Sequence, residues 1–194
     1  MKLKLKKWTF AKLLTSLLLA AGVGMTAEAF AASTDSIQLS VTPGVTYSVR
    51  ITSATNYAGV AYNFGTVNLN ATTLTQTPAS VQNNGNVISH WQVSAYQETE
   101  WGLSTSTGAD TAVLKALFNA TGGAAPTAND FNTVSGSTIS TSVKQATQGN
   151  LSTSTIVNTI PVNAQRDLYF MLHTPSDSSA ATAQTFRVYV TAVP

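Results

Sequence analysis

Any chemistry in this 194-residue chain has to be assembled from few parts: two histidines, His90 and His173, eight acidic residues and no cysteine. Serine-type nucleophilic catalysis needs a serine within reach of a histidine that an acid orients. Serine is plentiful, so a pairing with His90 or His173 can always be imagined, but the G-x-S-x-G elbow is absent. Glu98 and Glu100 lie two apart and would share one face of a strand as a carboxylate pair. A glycosidase needs its two acids facing each other across the sugar, usually from separate elements. His90, His173 and Glu98 make a metal site only if the fold gathers them. HExxH, Walker A and the EF-hand loop are missing. Without cysteine there is neither a disulfide nor a thiolate metal site. The expectation is a protein that is not an enzyme and carries no cofactor.

The elements that would position these residues are strands. In NVISHWQVSAY, residues 86–96, side chains alternate between two faces. Val87, Ser89, Trp91, Val93 and Ala95 form the core face, and Ile88, His90, Gln92, Ser94 and Tyr96 form the other. Asn84-Gly85 just before it matches a dipeptide that tolerates positive φ in a tight turn. His90 therefore reads as an outward residue of a core strand entered through a turn.

Further strands are expected over SIQLSVTP (Ile37, Leu39, Val41) and, after Pro43-Gly44, over VTYSVRI (Val45, Tyr47, Val49, Ile51). AYNFGTVNL adds Tyr62, Phe64 and Thr66, and a weaker strand runs from Thr72 to Thr77, ending near Pro78. LYFML and FRVYV close the chain. The spacing of Val113, Leu114, Leu117 and Phe118 in residues 112–120 suits a helix face as well as a strand, and the β context favours a strand. APTANDF could form one helical turn, with Pro126 early and Asp130 near its end. Residues 132–160 read as a long ordered loop or a pair of edge strands.

The N-terminus carries an export signal. Lys2, Lys4, Lys6, Lys7 and Lys12 precede an apolar run from Leu13 to Val23, and small residues follow to AEAFAAS. Ala29-Phe30-Ala31 fits signal peptidase, with Ala27-Glu28-Ala29 as a second site. The run is too short to span a bilayer. Domains are thus a cleaved signal peptide, residues 1–31, and one β-domain, residues 32–194, with no membrane insertion after cleavage. The mature chain has five bases against seven acids, a net charge of −2. It lacks the basic stripe that a nucleic-acid partner requires. Serine and threonine number 46 in this part, a composition that suits half-buried pleats and turns.

FGTV (Phe64 to Val67), then NNGNV (Asn83 to Val87), then an alternating strand, resembles immunoglobulin-like bacterial surface domains. These include the choice-of-anchor domains and their Hydin-type relatives, where an F-G-x-V strand precedes an N-x-G turn into a core strand. The similarity spans residues 60–96. PVNAQRDLYFMLHTP with the final alternating strand is similar to the last two strands of secreted sandwich domains. The resemblance implies an all-β chain, a single immunoglobulin-like antiparallel β-sandwich, in an extracellular setting, and says little about what is bound. The expected departure from those families is the anchor, since no sorting motif or hydrophobic tail is expected after Val193-Pro194.

If LYFML and FRVYV pair as a hairpin across residues 174–185, their outward face carries Tyr169, Met171, His173, Arg187 and Tyr189. Tyrosine, methionine and arginine are enriched at interfaces. The alternative is that a second packing layer covers that face. Taken together, the sequence supports a secreted, non-enzymatic surface or extracellular structural protein that assembles with itself or with other cell-surface components. The other reading is an extracellular module that binds carbohydrate or protein through the aromatic face.

Overall fold

The computed structural model describes residues 38–52 and 62–194, and these are built mostly of strands. The expected signal peptide with both cleavage sites, and Ile37 of the first expected strand, lie outside the described residues. The chain divides into two units between Thr42 and Pro43. In the first, residues 38–42 form no strand, and Leu39 and Val41 are 89% and 88% exposed. The strand expected over SIQLSVTP is therefore not formed over its described residues.

The second unit begins with β1 (Val49–Thr52), β2 (Thr72–Leu74), β3 (Ala79–Asn83), β4 (His90–Gln97), β5 (Gly102–Leu103) and β6 (Thr111–Ala120). A six-residue helix, α1 (Ala128–Thr133), follows. Four two-residue strands come next: β7 (Thr138–Ile139), β8 (Lys144–Gln145), β9 (Thr147–Gln148) and β10 (Leu151–Ser152). A 3-10 turn at Thr155–Val157 leads to the long strands β11 (Gln165–His173) and β12 (Phe186–Val193). The larger sheet has the order β1-β3-β11-β6-β5, with β2 also on β11 and β7 on β6. The smaller one is β12-β4-β8.

β2 and β3 lie along the same side of β11, interrupted at Pro78, which has no N–H to give to a ladder. Thr75 covers the gap. Its N–H donates to the Phe170 carbonyl at 2.9 Å, and its hydroxyl accepts from the Phe170 N–H at 2.9 Å. The side chain thereby replaces a lost backbone rung. β3 itself was not legible as a strand, because its apolar face, Ala79 and Val81, ends in a buried asparagine, Asn83.

β6 is a strand, and its helix-like spacing has a simple cause. It is buried on both faces, so its apolar residues do not follow a plain alternation. Leu114, Ala116 and Phe118 join the main core, while Leu117 packs on the opposite side against Phe131 of α1 and Tyr169 and Met171 of β11. The main core draws Trp91, Val93 and Ala95 from β4 in the other sheet. Trp91 and Phe118 meet there with ring centroids 5.4 Å apart. Ser89, Trp91, Val93 and Ala95 are all fully buried, as the alternation of this strand requires.

In α1, Asp130 sits in the first turn rather than near the end. Its carboxylate accepts from the Thr127 N–H (2.7 Å) and hydroxyl (2.8 Å), which fixes the helix start after Pro126. AYNFGTVNL forms no strand over its described residues 62–69, and Gly65 there takes φ +72. Residues 132–160 resolve into short edge pieces, β7 on β6 and β8 on β4.

The NNGN turn works differently from the expectation. Neither Asn84 nor Gly85 has positive φ. Gly85 is required by proximity, since a Cβ there would collide with the Thr46 carbonyl oxygen. Residues 44–48 run against this turn. Asn84 N–H donates to Ser48 O and Asn86 N–H to Thr46 O, while the Asn86 side chain accepts from Thr46 N–H and donates to Gly44 O.

Candidate functional site

The five residues expected to share an outward face do not. β11 lies between β3 and β6 in the larger sheet, and β12 pairs with β4 in the smaller one. Residues 174–185 therefore carry the chain from one sheet to the other and close no hairpin. Tyr169 and Met171 are buried with Leu117, Phe131 and Val134, so a second packing layer covers that side of β11. Burial, with the nearby Asp167 carboxylate, pushes the Tyr169 hydroxyl pKa up. His173 ends β11 half-buried. Only Arg187 and Tyr189 remain exposed together, on the outer face of β12.

Their neighbours come from β4. Tyr189 packs edge-to-face on Tyr96 at 5.6 Å, and both rings are exposed. Arg187 Nε lies 2.6 Å from Glu98 Oε1. Glu98 raises the Arg187 pKa, first through its charge and then through the hydrogen bond. So open a pair adds little stability and mainly fixes where the two side chains point. β4 ends at Gln97, so Glu98 and Glu100 do not share a strand face, and Glu98 is engaged by Arg187. His90 and His173 stand on different sheets. Among the described residues no group of three His, Asp or Glu could hold a metal ion.

A cleft of about 810 Å³ lies between the sheets. Ile51 of β1, Leu168 and Phe170 of β11 and Phe186 and Val188 of β12 line it, with Phe64 beside them. Phe186 and Val188 alternate with the outward Arg187 and Tyr189, and in register Val188 stands opposite the fully buried Ala95. They therefore face the core, yet they are only half-buried, as are Ile51 and Phe170. Among the described lining residues only Glu98 and Arg187 are charged, and they pair with each other. With Tyr169, Met171, Arg187 and Tyr189 expected outward, alternation leaves Phe170, Phe186 and Val188 on the inner face. It gives no signal for that face being left open.

One wall of the cleft is the 183–185 end of the inter-sheet loop. Asp110 ties that loop down through Ser179 Oγ (2.6 Å), Ser179 N–H (2.8 Å) and Ser178 Oγ (2.9 Å). Trp101 adds its ring N–H to Ser178 Oγ and its backbone N–H to Gln184 Oε1. The Ser179 hydroxyl, then the Ser178 hydroxyl and the Ser179 N–H, hold the Asp110 carboxyl below its ordinary range. Asp130 is likewise held low by the Thr127 backbone and side chain.

A depressed carboxyl pKa contributes stability that is fully present above the unfolded value of about 3.9 and is lost as pH falls through the folded value. Thermal stability is thus expected to hold through the weakly acidic range and to drop below about pH 4. Amide exchange at Ser179 should rise over the same interval, and Asp110→Asn should flatten part of the drop. An Asp110→Asn variant with an unchanged acid limb would contradict this account.

No family model, no curated protein and no solved structure matches the chain. Among the described residues, no helix is long and apolar enough to cross a membrane.

Proposed function

We propose that this protein is an exported, non-enzymatic assembly subunit of a cell surface or extracellular matrix. In this reading it is a single immunoglobulin-like antiparallel β-sandwich that joins other protein through the open flank between its sheets. One observation carries the reading: Ile51, Phe170, Phe186 and Val188 face the core but stay half-exposed in the cleft. A core left open along one side exposes contiguous apolar surface, which marks a site of association. The lysine-rich start and short apolar run support export, and the mature charge of −2 offers no attraction to nucleic acid.

A second reading, an extracellular binding module, draws support from the Tyr96–Tyr189 pair with Arg187 and Glu98 beside it. Exposed rings flanked by hydrogen-bonding groups suit a sugar ring, and this face replaces the five-residue one expected from the sequence.

The test is the molar mass of the full chain, secreted from a suitable host, by light scattering over a concentration series, with the same samples imaged by negative stain. Growth into defined oligomers or fibres is expected. A strict monomer at every concentration would sink the assembly reading, and glycan binding at Tyr96 and Tyr189 would then be the question.

A further inference from the structure

The smaller sheet turns one face to the core and the other to solvent. On β4, Trp91, Val93 and Ala95 are fully buried, so Gln92, Ser94 and Tyr96 stand on the outer side. On β12, Phe186, Val188, Val190 and Ala192 pack on the core, and the exposed residues are Arg187, Tyr189 and Thr191. Register sets Arg187 opposite Tyr96, Tyr189 opposite Ser94 and Thr191 opposite Gln92, which in turn faces Gln145 of β8. Cross-strand partners share a face, so these side chains form one ordered patch. It begins with the Arg187–Glu98 pair and the tyrosine rings, continues with hydroxyls and ends in amides.

The aromatic end is a corner. Tyr96 and Tyr189 are 43% and 47% exposed and meet at 86°, so one ring turns its edge to the face of the other. Beside them lies a depression of about 370 Å³ lined by Ser94, Tyr96, Tyr189 and Thr191. A pyranose carries C–H groups on its faces and hydroxyls around its rim. The C–H face stacks on a tyrosine ring, and the rim pairs with hydroxyls, amides and charged groups. From Tyr96 to Gln92 the patch runs about 14 Å, at about 3.4 Å per residue, which exceeds one sugar ring. Hydroxyls and amides stand where the centre of a protein interface would be apolar.

Charge decides the class of saccharide. Arg187 Nε is held 2.6 Å from Glu98 Oε1. The other lysine or arginine in these three strands, Lys144, stands opposite the inward Val93 and donates to the Gly136 carbonyl. A uronic or sulfated sugar would have to take Arg187 from Glu98 and then lie beside the displaced carboxylate. An uncharged sugar uses the pair as it stands, because a guanidinium has N–H donors on every nitrogen and a carboxylate has lone pairs to spare.

We propose that the outer face of the β12-β4-β8 sheet binds an uncharged oligosaccharide. One sugar ring sits in the Tyr96–Tyr189 corner beside Arg187 and Glu98, and the chain continues over Ser94 and Thr191 toward Gln92 and Gln145. This rests on the binding-module reading above, not on assembly, and names the ligand class.

The test is calorimetric titration of the full chain with hexasaccharides of glucose, mannose and N-acetylglucosamine, set against hexagalacturonate and a heparin hexasaccharide. At least one uncharged hexasaccharide is expected to bind, more tightly than its monosaccharide and with an affinity unchanged between roughly 0.05 and 0.5 M salt. Tyr189→Ala should weaken that binding about tenfold or more, and Tyr189→Phe, which keeps the ring, much less. Because Tyr189 is exposed, the urea midpoint of either variant should stay close to that of the unsubstituted chain. Glu98→Gln should release Arg187 and raise the affinity for hexagalacturonate by about tenfold.

Binding of the charged hexasaccharides by the unsubstituted chain, lost in Tyr189→Ala, would overturn the uncharged class and leave the binding-module reading intact. Binding that Tyr96→Ala and Tyr189→Ala both leave unchanged would overturn the assignment to this face. No heat with any of the saccharides would overturn this inference together with the sugar reading of the Tyr96–Tyr189 pair.

Discussion

Replacing Asn83 by aspartate is expected to destabilise the protein by about 3–5 kcal/mol at neutral pH, the range found when a buried charge is left uncompensated. Asn83 is fully buried at the end of β3. Its amide nitrogen donates to the carbonyls of Val87 (2.9 Å), Ile160 (2.9 Å) and Pro161 (3.2 Å), and its oxygen accepts from the Gly85 N–H (3.0 Å). One side chain thus joins the NNGN turn, the entry to β4 and the loop before β11. A carboxylate would set a negative oxygen against these carbonyl oxygens in a fully buried position.

The introduced carboxyl would hold its proton more tightly in the folded state than in the unfolded chain. The penalty is therefore largest above the folded pKa and shrinks as pH falls through it, because the protonated acid can donate once. Asn83→Leu removes the charge but also the donor to the Val87 carbonyl and the acceptor of the Gly85 N–H, at about 1–3 kcal/mol, while the Ile160 and Pro161 carbonyls keep the Ser89 and Ala164 N–H groups. Urea unfolding at pH 7 and pH 5 measures all of this. A cost of Asn83→Asp that is small, or that grows on acidification, would refute the account.

Phe118→Ala should cost about 3–5 kcal/mol, the range for deleting a buried aromatic ring. Phe118 comes from the larger sheet and Trp91 from the smaller one, and their ring contact ties the two together. The cavity would open against Trp91, which is itself fully buried in the same core. With no disulfide in the chain, that loss falls on a total stability of about 5–15 kcal/mol. Phe118→Leu keeps most of the volume and should cost about 1 kcal/mol. Urea midpoints with unchanged slopes would confirm the ranking, and equal costs for Ala and Leu would refute the packing role.

Much of the local structure was readable because the reason for it is local. A strand half-buried on one face must alternate, and NVISHWQVSAY alternates cleanly, so Trp91, Val93 and Ala95 could be assigned to the core before any partner was known. Composition alone made the chain β-rich, and the lack of cysteine excluded cross-links. The helix start at Thr127 was misplaced by a few residues because Asp130 acts on the N–H behind it, a contact that only geometry reveals.

Tertiary structure decided everything that depends on which faces meet. Alternation says that Tyr169 and Met171 share a side of β11, but not that α1 and Leu117 cover it. Consecutive strands β11 and β12 belong to different sheets: β11 is buried on both faces between β3 and β6, while β12 has one inward apolar face and pairs with β4. Gly85 is a glycine because Thr46 passes close by, a cause 39 positions away in the chain and invisible in an Asn-Gly pair. The same holds for the cleft. Phe186 and Val188 have the period of any inner face, and that they stay half-covered is a property of the assembled sheets, because burial is settled by what packs against a face and not by the spacing that creates it.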